Sequence, residues 1–458
     1  MVWRNPFYGK SCDVEVKKNE KNIISSCKVL NIAALYKQNN KKTDMKKYLI
    51  ILYSLMAMGA ITSCNSHIID IDEPNPEVVV CPVSNTGIVY KRSSNMAFDL
   101  FEKVNSTAKK DENFMISPIS LSEVLGMIST GAEGETRNEL NKFLGFDDIS
   151  QSEMCVAFKE LNSWLPSADK MTTLNLANSI WIDDDFSVLD TYKSTNQSYF
   201  DAETSVADLA AEKTKDEINS WCDKQTKGCI KKILDKPLDG SAMALINALY
   251  FKGEWTKRFK TSETTKKQFT SANGNVSEVD MMHKYDDLKY ISREKFSMVE
   301  LPYGNGNFCM DIILPNKGVK LEECVANLKY EHFGNLLDRM SFAPIELSMP
   351  KMKLEYNIEL NDILKDLGVK RIFSPFDAEL HGISPADIYV SLVKQFSYIN
   401  VDEAGSEAGV VTYAKVDVAV FEGETTRYVE INMNRPFVYI IRDTQTGAIL
   451  FMGRVMTL

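Results

Sequence analysis

The stretch from Val401 to Glu424, VDEAGSEAGVVTYAKVDVAVFEGE, constrains the fold more than any other part of the chain. It is small, β-prone and free of proline, and it lies between two segments that read as ordinary sheet. Compact domains rarely leave roughly 20 residues unstructured unless the segment is functional or disordered. Side chains alternate across a strand with period two. One face would carry Ser406, Ala408, Val410, Thr412, Ala414, Val416 and Val418, and the other Glu407, Gly409, Val411, Tyr413, Lys415, Asp417 and Ala419. The first set is small and mostly apolar, while the second holds every charge. That is a strand with one buried and one wet face. Two readings stand on the residues alone: a resident strand, or a strand held in reserve. Glycines between Glu403 and Gly409 weaken a strand interior and favour a hinge.

The surrounding pattern is α+β, with helices concentrated in the first third and strands in the rest. Ser94 to Lys110 is an amphipathic helix with Met96, Phe98, Leu100, Phe101 and Val104 on one stripe. Asn113 to Phe146 reads as a short strand and two helices split at Gly131–Gly134, with Ser117 and Ser120 placed to cap beside Pro118. A helix is expected over Lys213–Leu234 and another over Ile358–Leu367, closed by Gly368. Strands are expected over Leu174–Ile182, Ala242–Trp255, Met298–Pro302, Met310–Pro315 and Pro344–Met352. Arg435–Val455 reads as a hairpin turning at Asp443–Gly447.

The N-terminal part follows different rules. Met45-Lys46-Lys47 precedes an apolar run, Tyr48–Ile61, too short for a comfortable membrane span, and the run ends in Ile61-Thr62-Ser63-Cys64. This resembles a bacterial lipobox. It implies residues 45–63 as a lipoprotein signal peptide, lipidation at Cys64, and a protein tethered at the cell envelope or outside the cell. Residues 1–44 read as an upstream extension from a mis-assigned start. Residues 64–90, with three prolines and several acids, read as a tether. From Cys64 onward the chain has 42 basic and 59 acidic residues, net −17. That charge argues against a nucleic-acid partner.

Catalytic and metal motifs are missing. The sequence has no GxSxG, HExxH, Walker loop or CxxC, and its four histidines, 67, 283, 332 and 381, are scattered. No cofactor and no metal site are expected. The nine cysteines read as buried or half-buried thiols, Cys222 and Cys229 included.

From about Arg92 onward, four stretches in order resemble the serpin family. They are NFMISPI (113–119) with GAEGETRN (131–138), NALYFKGEW (247–255), EAGSEAGVVT (403–412) and RPFVYIIRDTQTGAILFMGRV (435–455). The resemblance implies a domain over residues 91–458 with three sheets, about nine helices and an exposed reactive loop near 403–426. It implies a monomeric inhibitor rather than an enzyme. The target endopeptidase is acylated by the loop, which then inserts into the main sheet, a known example of strand addition. By that resemblance the hinge is Glu403, Gly405, Ser406, Glu407, Ala408, Gly409 and Thr412. Gly409, Val410 and Val411 depart from the family's preferred small residues. Ser117, Ser120 and Asn247 match the shutter, Gln395 stands where the family usually has histidine, and Trp255 matches the breach aromatic. The usual count from the hinge places the reactive bond at Ala419–Val420, implying elastase-like, subtilisin-like or papain-like targets. The span to Pro436 is longer than is common in the family, which keeps Lys415 and Arg427 as alternatives. A non-inhibitory binding protein on the same fold is the other reading.

Overall fold

The computed structural model describes residues 79–81, 86–326, 328–406 and 428–458, with side chains from Ser94 onward in the first helix. The reading of residues 1–78, including Cys64, lies outside the described residues, as does residue 407 to residue 427.

Helix α1 (Thr86–Thr107) buries Met96, Phe98, Leu100, Phe101 and Val104 on its expected stripe. Strand β1 (Phe114–Ile116) leads into α2 (Pro118–Gly131). The side chain of Ser117 accepts from the Ser120 amide, and Pro118 occupies the first turn, where a missing N–H costs nothing. Helix α2 is buried nearly all round, including the carboxyl of Glu123. It packs tightly on α4 (Gln151–Trp164), where a Cβ on Gly126 would meet the Phe158 ring at 2.7 Å. Between them, α3 (Gly134–Leu144) closes on Gly145 at φ 76°. A reciprocal Ser150–Glu153 capping box starts α4.

Strand β2 (Thr172–Ile182), helix α5 (Asp190–Phe200), β3 (Glu203–Val206), α6 (Glu212–Gln225) and β4 (Met243–Glu254) follow. The helix expected over Lys213–Leu234 stops at Gln225, because Lys227 and Gly228 turn to positive φ (52° and 87°). Further on come β5 (Thr265–Thr270), β6 (Val276–Ser292), β7 (Phe296–Tyr303), β8 (Phe308–Pro315), α7 (Leu321–Val325) and α8 (Tyr330–Leu337). The strand expected over 344–352 is two, β9 (Ser341–Pro350) and β10 (Met352–Glu359), parted at Lys351. Pairing of β10 with β11 (Lys394–Val401) carries the extended backbone through Glu359. Helix α9 (Asn361–Asp366) therefore starts later than its periodicity suggested. The last strands are β12 (Gly405–Ser406), β13 (Val429–Asn432), β14 (Phe437–Asp443) and β15 (Ile449–Val455), the final two forming the expected hairpin.

Two hydrogen-bonded ladders result. One runs β1-β15-β14-β8-β7-β6-β9-β13, with β5 on β6. Its long strand β6 pairs both β7 and β9, so two of the three expected sheets share a strand. The other runs β10-β11-β12-β4-β2-β3 and holds the opening segment's first residues in its middle. Helix α2 lies between the two ladders, in contact with β4 and β15. Among the described residues there are nine α-helices, and no helix is long and apolar enough to cross a membrane.

Candidate functional site: a gap in the six-stranded sheet

Gly405 and Ser406 form a two-residue strand between β11 and β4, antiparallel to both. Gly405 is opposite Glu254, and Ser406 is opposite Gly253 on one side and Val401 on the other. The turn before them is tightly built. The Asp402 amide donates to the Gly405 carbonyl at 2.9 Å, the Trp255 amide to Ala404 O at 2.9 Å, and the Phe259 amide to Glu403 O at 2.9 Å. The indole N–H of Trp255 donates to Asp402 O at 3.0 Å. Position 405 admits only glycine, because a Cβ would stand 2.0 Å from the Gly253 carbonyl oxygen.

Glu403 anchors the turn. Its carboxylate accepts from Lys351 Nζ and from Thr264 Oγ1, each at 2.8 Å. Burial pushes this carboxyl up. The ammonium of Lys351, a backbone N–H and the Thr264 hydroxyl outweigh that and hold it below the usual range. Ser406 is 2% exposed, and its hydroxyl shares a 2.6 Å hydrogen bond with the phenol of Tyr303. That phenol stacks on Trp255, with centroids 4.4 Å apart and planes 11° apart. Ser406 therefore faces inward, as the alternation of its segment predicts.

Past Ser406, β11 and β4 share no backbone pairing among the described residues. Beyond Val401 on β11 and Gly253 on β4, the two facing edges have no strand partner among the described residues. A cavity of about 120 Å³ lies there, bordered by Ser117, Ser120, Asn247 and Gln395. The four shutter residues named from sequence thus come together. Gln395 accepts from the Ser117 amide and donates to the Ser117 carbonyl, both at 2.8 Å, clamping the start of α2 to β11. Ser117 Oγ donates to Ser120 Oγ at 2.9 Å, and Asn247 Nδ2 donates to Asn178 Oδ1 at 2.8 Å.

Of the expected hinge, Glu403, Gly405 and Ser406 are placed as described. Glu407, Ala408, Gly409 and Thr412 lie outside the described residues, as do Lys415, Ala419, Val420 and Arg427. Sequence reasoning passed over Tyr303, Lys351, Thr264 and Asn178. A polar residue inside the strand LNLANSIWI is the one signal that pointed to Asn178.

A second polar cluster offers three ligand types for a metal, Glu300, Cys309 and Asp311, all buried. The guanidinium of Arg442 occupies it instead, 2.6 Å from both Glu300 Oε2 and Asp311 Oδ2. Burial pushes the Asp311 carboxyl up to about 6, with Arg442 pulling the other way. The thiols of Cys155, Cys222, Cys309 and Cys324 are buried and Cys229 is half-buried.

Two ladders packed on α2, with a two-residue strand at Gly405–Ser406 set between β11 and β4, define the class of fold. The family is the serpins, to which this chain belongs. The family model for serpin (serine protease inhibitor) matches residues 91–458. Iripin-1 of Ixodes ricinus is 33% identical over 362 residues, covering 76% of this chain and 90% of that protein. The leukocyte elastase inhibitor of Xenopus tropicalis is 31% identical over 373 residues, covering 79% and 97%. Among solved structures, the thermophilic serpin Tengpin in its native state superposes with a TM-score of 0.74 at 29% identity, covering 83% of this chain and 96% of that one. Tengpin in its latent state gives 0.70 at 28% identity, covering 83% and 100%.

Proposed function

We propose that this serpin inhibits endopeptidases by offering residues 403–426 as bait and inserting them into the gap between β4 and β11. The observation that carries the reading is the strand at Gly405–Ser406 between two strands whose facing edges have no further partner among the described residues. Backbone groups on those edges gain partners only when another strand arrives. Continuing the observed register would set Thr412 opposite both Asn247 and Gln395, and Val416 opposite Met243, where β4 begins.

That register bears on the reactive bond. Cleavage after Ala419 leaves a segment that fills the sheet to the start of β4 with three residues to spare. Cleavage after Lys415 leaves the strand one residue short, and the attached protease is not carried to the sheet's far end. Arg427 adjoins Tyr428 and β13, leaving long slack. Ala419–Val420 is therefore the favoured bond, with serine endopeptidases of small primary pocket as the first targets and papain-like enzymes as the second. The protease serine acylates on the Ala419 carbonyl and releases the Val420 amine. Insertion then follows before water reaches the ester. Cys64 is proposed as the lipid attachment point that holds the inhibitor at the cell envelope. Loss of radiolabelled fatty-acid incorporation in Cys64→Ala is the expected result.

The test is incubation of residues 65–458 with elastase, subtilisin, trypsin and papain. A covalent complex surviving SDS is expected with elastase or subtilisin, and mass spectrometry of the released C-terminal peptide locates the bond. Cleavage of the loop by all four with no complex would reject inhibition of these classes and favour a binding role.

A further inference from the structure

The carboxyl of Glu123 sits where a helix interior calls for an apolar residue. It projects from α2 with no exposure at all, and among the described residues no cation contacts it. Its Oε2 accepts from Asn178 Nδ2 of β2 at 3.1 Å and from Asn162 Nδ2 of α4 at 3.3 Å. Asn178 also donates to the Phe200 carbonyl at 2.9 Å, and its own oxygen accepts from Asn247 Nδ2 of β4 at 2.8 Å. A single file of amides thus runs from Glu123 through Asn178 to Asn247, which borders the cavity in the gap.

Three buried oxygens along this file have no partner among the described residues: Glu123 Oε1, Asn162 Oδ1 and Asn247 Oδ1. The first two belong to side chains already joined through Oε2. A proton on Glu123 Oε1 would make it a donor, the complement that Asn162 Oδ1 lacks, and so allow a two-point acid–amide pair between α2 and α4. The third oxygen belongs to the residue at the gap. Because both Asn178 and Asn247 spend their N–H groups inward, Asn247 is held with its oxygen open as an acceptor.

We propose that Glu123 is a positioning residue of the strand-accepting gap: through Asn178 it fixes Asn247, and with it the middle of the β4 edge. The groups around it fit this role. The amides of Asn162 and Asn178 and the Phe200 carbonyl carry no charge. The one charged group acting on it is Asp201, just after α5, which opposes ionisation. Burial pushes the Glu123 carboxyl up to about 8, so at neutral pH it holds the proton that the geometry asks for. At higher pH the acid–amide pair loses its donor, a buried anion remains, and the file to Asn247 loosens.

Glu123→Gln keeps the shape and replaces the acid O–H with an amide N–H, so it mimics the protonated form at every pH. The decisive measurement is hydrogen exchange of the β4 amides Leu245–Leu249 in the intact protein at about pH 7 and about pH 9, corrected for intrinsic chemistry. The wild type is expected to lose about tenfold protection there, and Glu123→Gln none. Equal losses in the two proteins would overturn the proposal. So would a loss confined to α2 and α4 that leaves β4 unchanged, because Glu123 would then be structural only.

A second arm rests on the insertion reading. After loop cleavage, the rate of gaining heat resistance should fall about threefold or more across the same pH range, since a pre-set edge is lost. The rate should stay flat in Glu123→Gln. It should also stay flat in Asn247→Ala, whose melting temperature still varies with pH. A pH-dependent rate persisting in Asn247→Ala would break the claimed route. If no variant gains heat resistance, the insertion reading fails while the exchange data still decide the role of Glu123.

Discussion

At the residue scale, two carboxyls show how environment assigns opposite signs to one chemistry. Glu123 has a raised pKa, so the folded chain keeps a proton that the unfolded chain has already lost. Its cost to folding begins near pH 4.5, grows as the pH rises, and levels off above about 8. Glu123→Gln removes that cost. Guanidinium unfolding should show the variant within about 1 kcal/mol of the wild type at pH 5 and more stable by on the order of 4–5 kcal/mol at pH 8.5. Glu403 is the reverse case. Its pKa is lowered, so its contribution is present above the unfolded value and fades as pH falls through the folded one. Ser406 offers the sharpest functional test. Its hydroxyl is fully enclosed against Tyr303, so Ser406→Arg must place a charge in an apolar slot or withdraw the strand. The expected outcome on SDS gels is cleaved protein with little or no covalent complex. Continued trapping would contradict the hinge assignment.

At the element scale, the facing edges of β4 and β11, unpaired among the described residues beyond β12, would form a template for an extended peptide of matching alternation. A synthetic peptide copying residues 406–418 should occupy it, raise the melting temperature and abolish complex formation, whereas a scrambled peptide should do neither. The Arg442 cluster is a contrasting element feature, closed on itself and distant in role. Arg442→Met would leave the buried Asp311 carboxyl with no cation bonded to it, beside a Glu300 held by Lys289 alone. A loss on the order of 3–5 kcal/mol is expected in chemical denaturation.

At the scale of the whole molecule, the insertion reading makes the intact fold a store of free energy. Ten or so further residues entering the six-stranded sheet would gain two ladders of hydrogen bonds and bury their apolar face. At about 1 kcal/mol net per bond this is worth on the order of 10 kcal/mol after ordering costs. Calorimetry of the loop-cleaved protein should show a melting temperature higher by roughly 10–15 °C than that of the intact chain. No rise would mean the gap does not accept its own loop.

Much of this was legible in the sequence, for a definite reason. The stripe of α1, the cap at Ser117, the β14–β15 hairpin and the alternation that turns Ser406 inward all depend on neighbours within a few residues. Local periodicity and turn chemistry settle such features. Motif order pointed to Ser117, Ser120, Asn247 and Gln395, which border one cavity, and to Trp255 apart from them. It did not reveal that Gln395 grips both backbone groups of Ser117, or that Asn178 stands behind Asn247. The helix after Lys213 and the strand near Lys351 were misjudged in length, because positive φ at Lys227 and Gly228 and pairing with β11 overrode apolar periodicity. What only tertiary structure decided were the contacts between distant segments: Tyr303 on Ser406, Lys351 on Glu403, and a lone carboxyl in α2 joined to the sheet by a file of amides. A sequence states which side chains are available. The charge state and duty of a buried one depend on which partners folding brings within hydrogen-bond reach, and that is set by packing rather than by spacing along the chain.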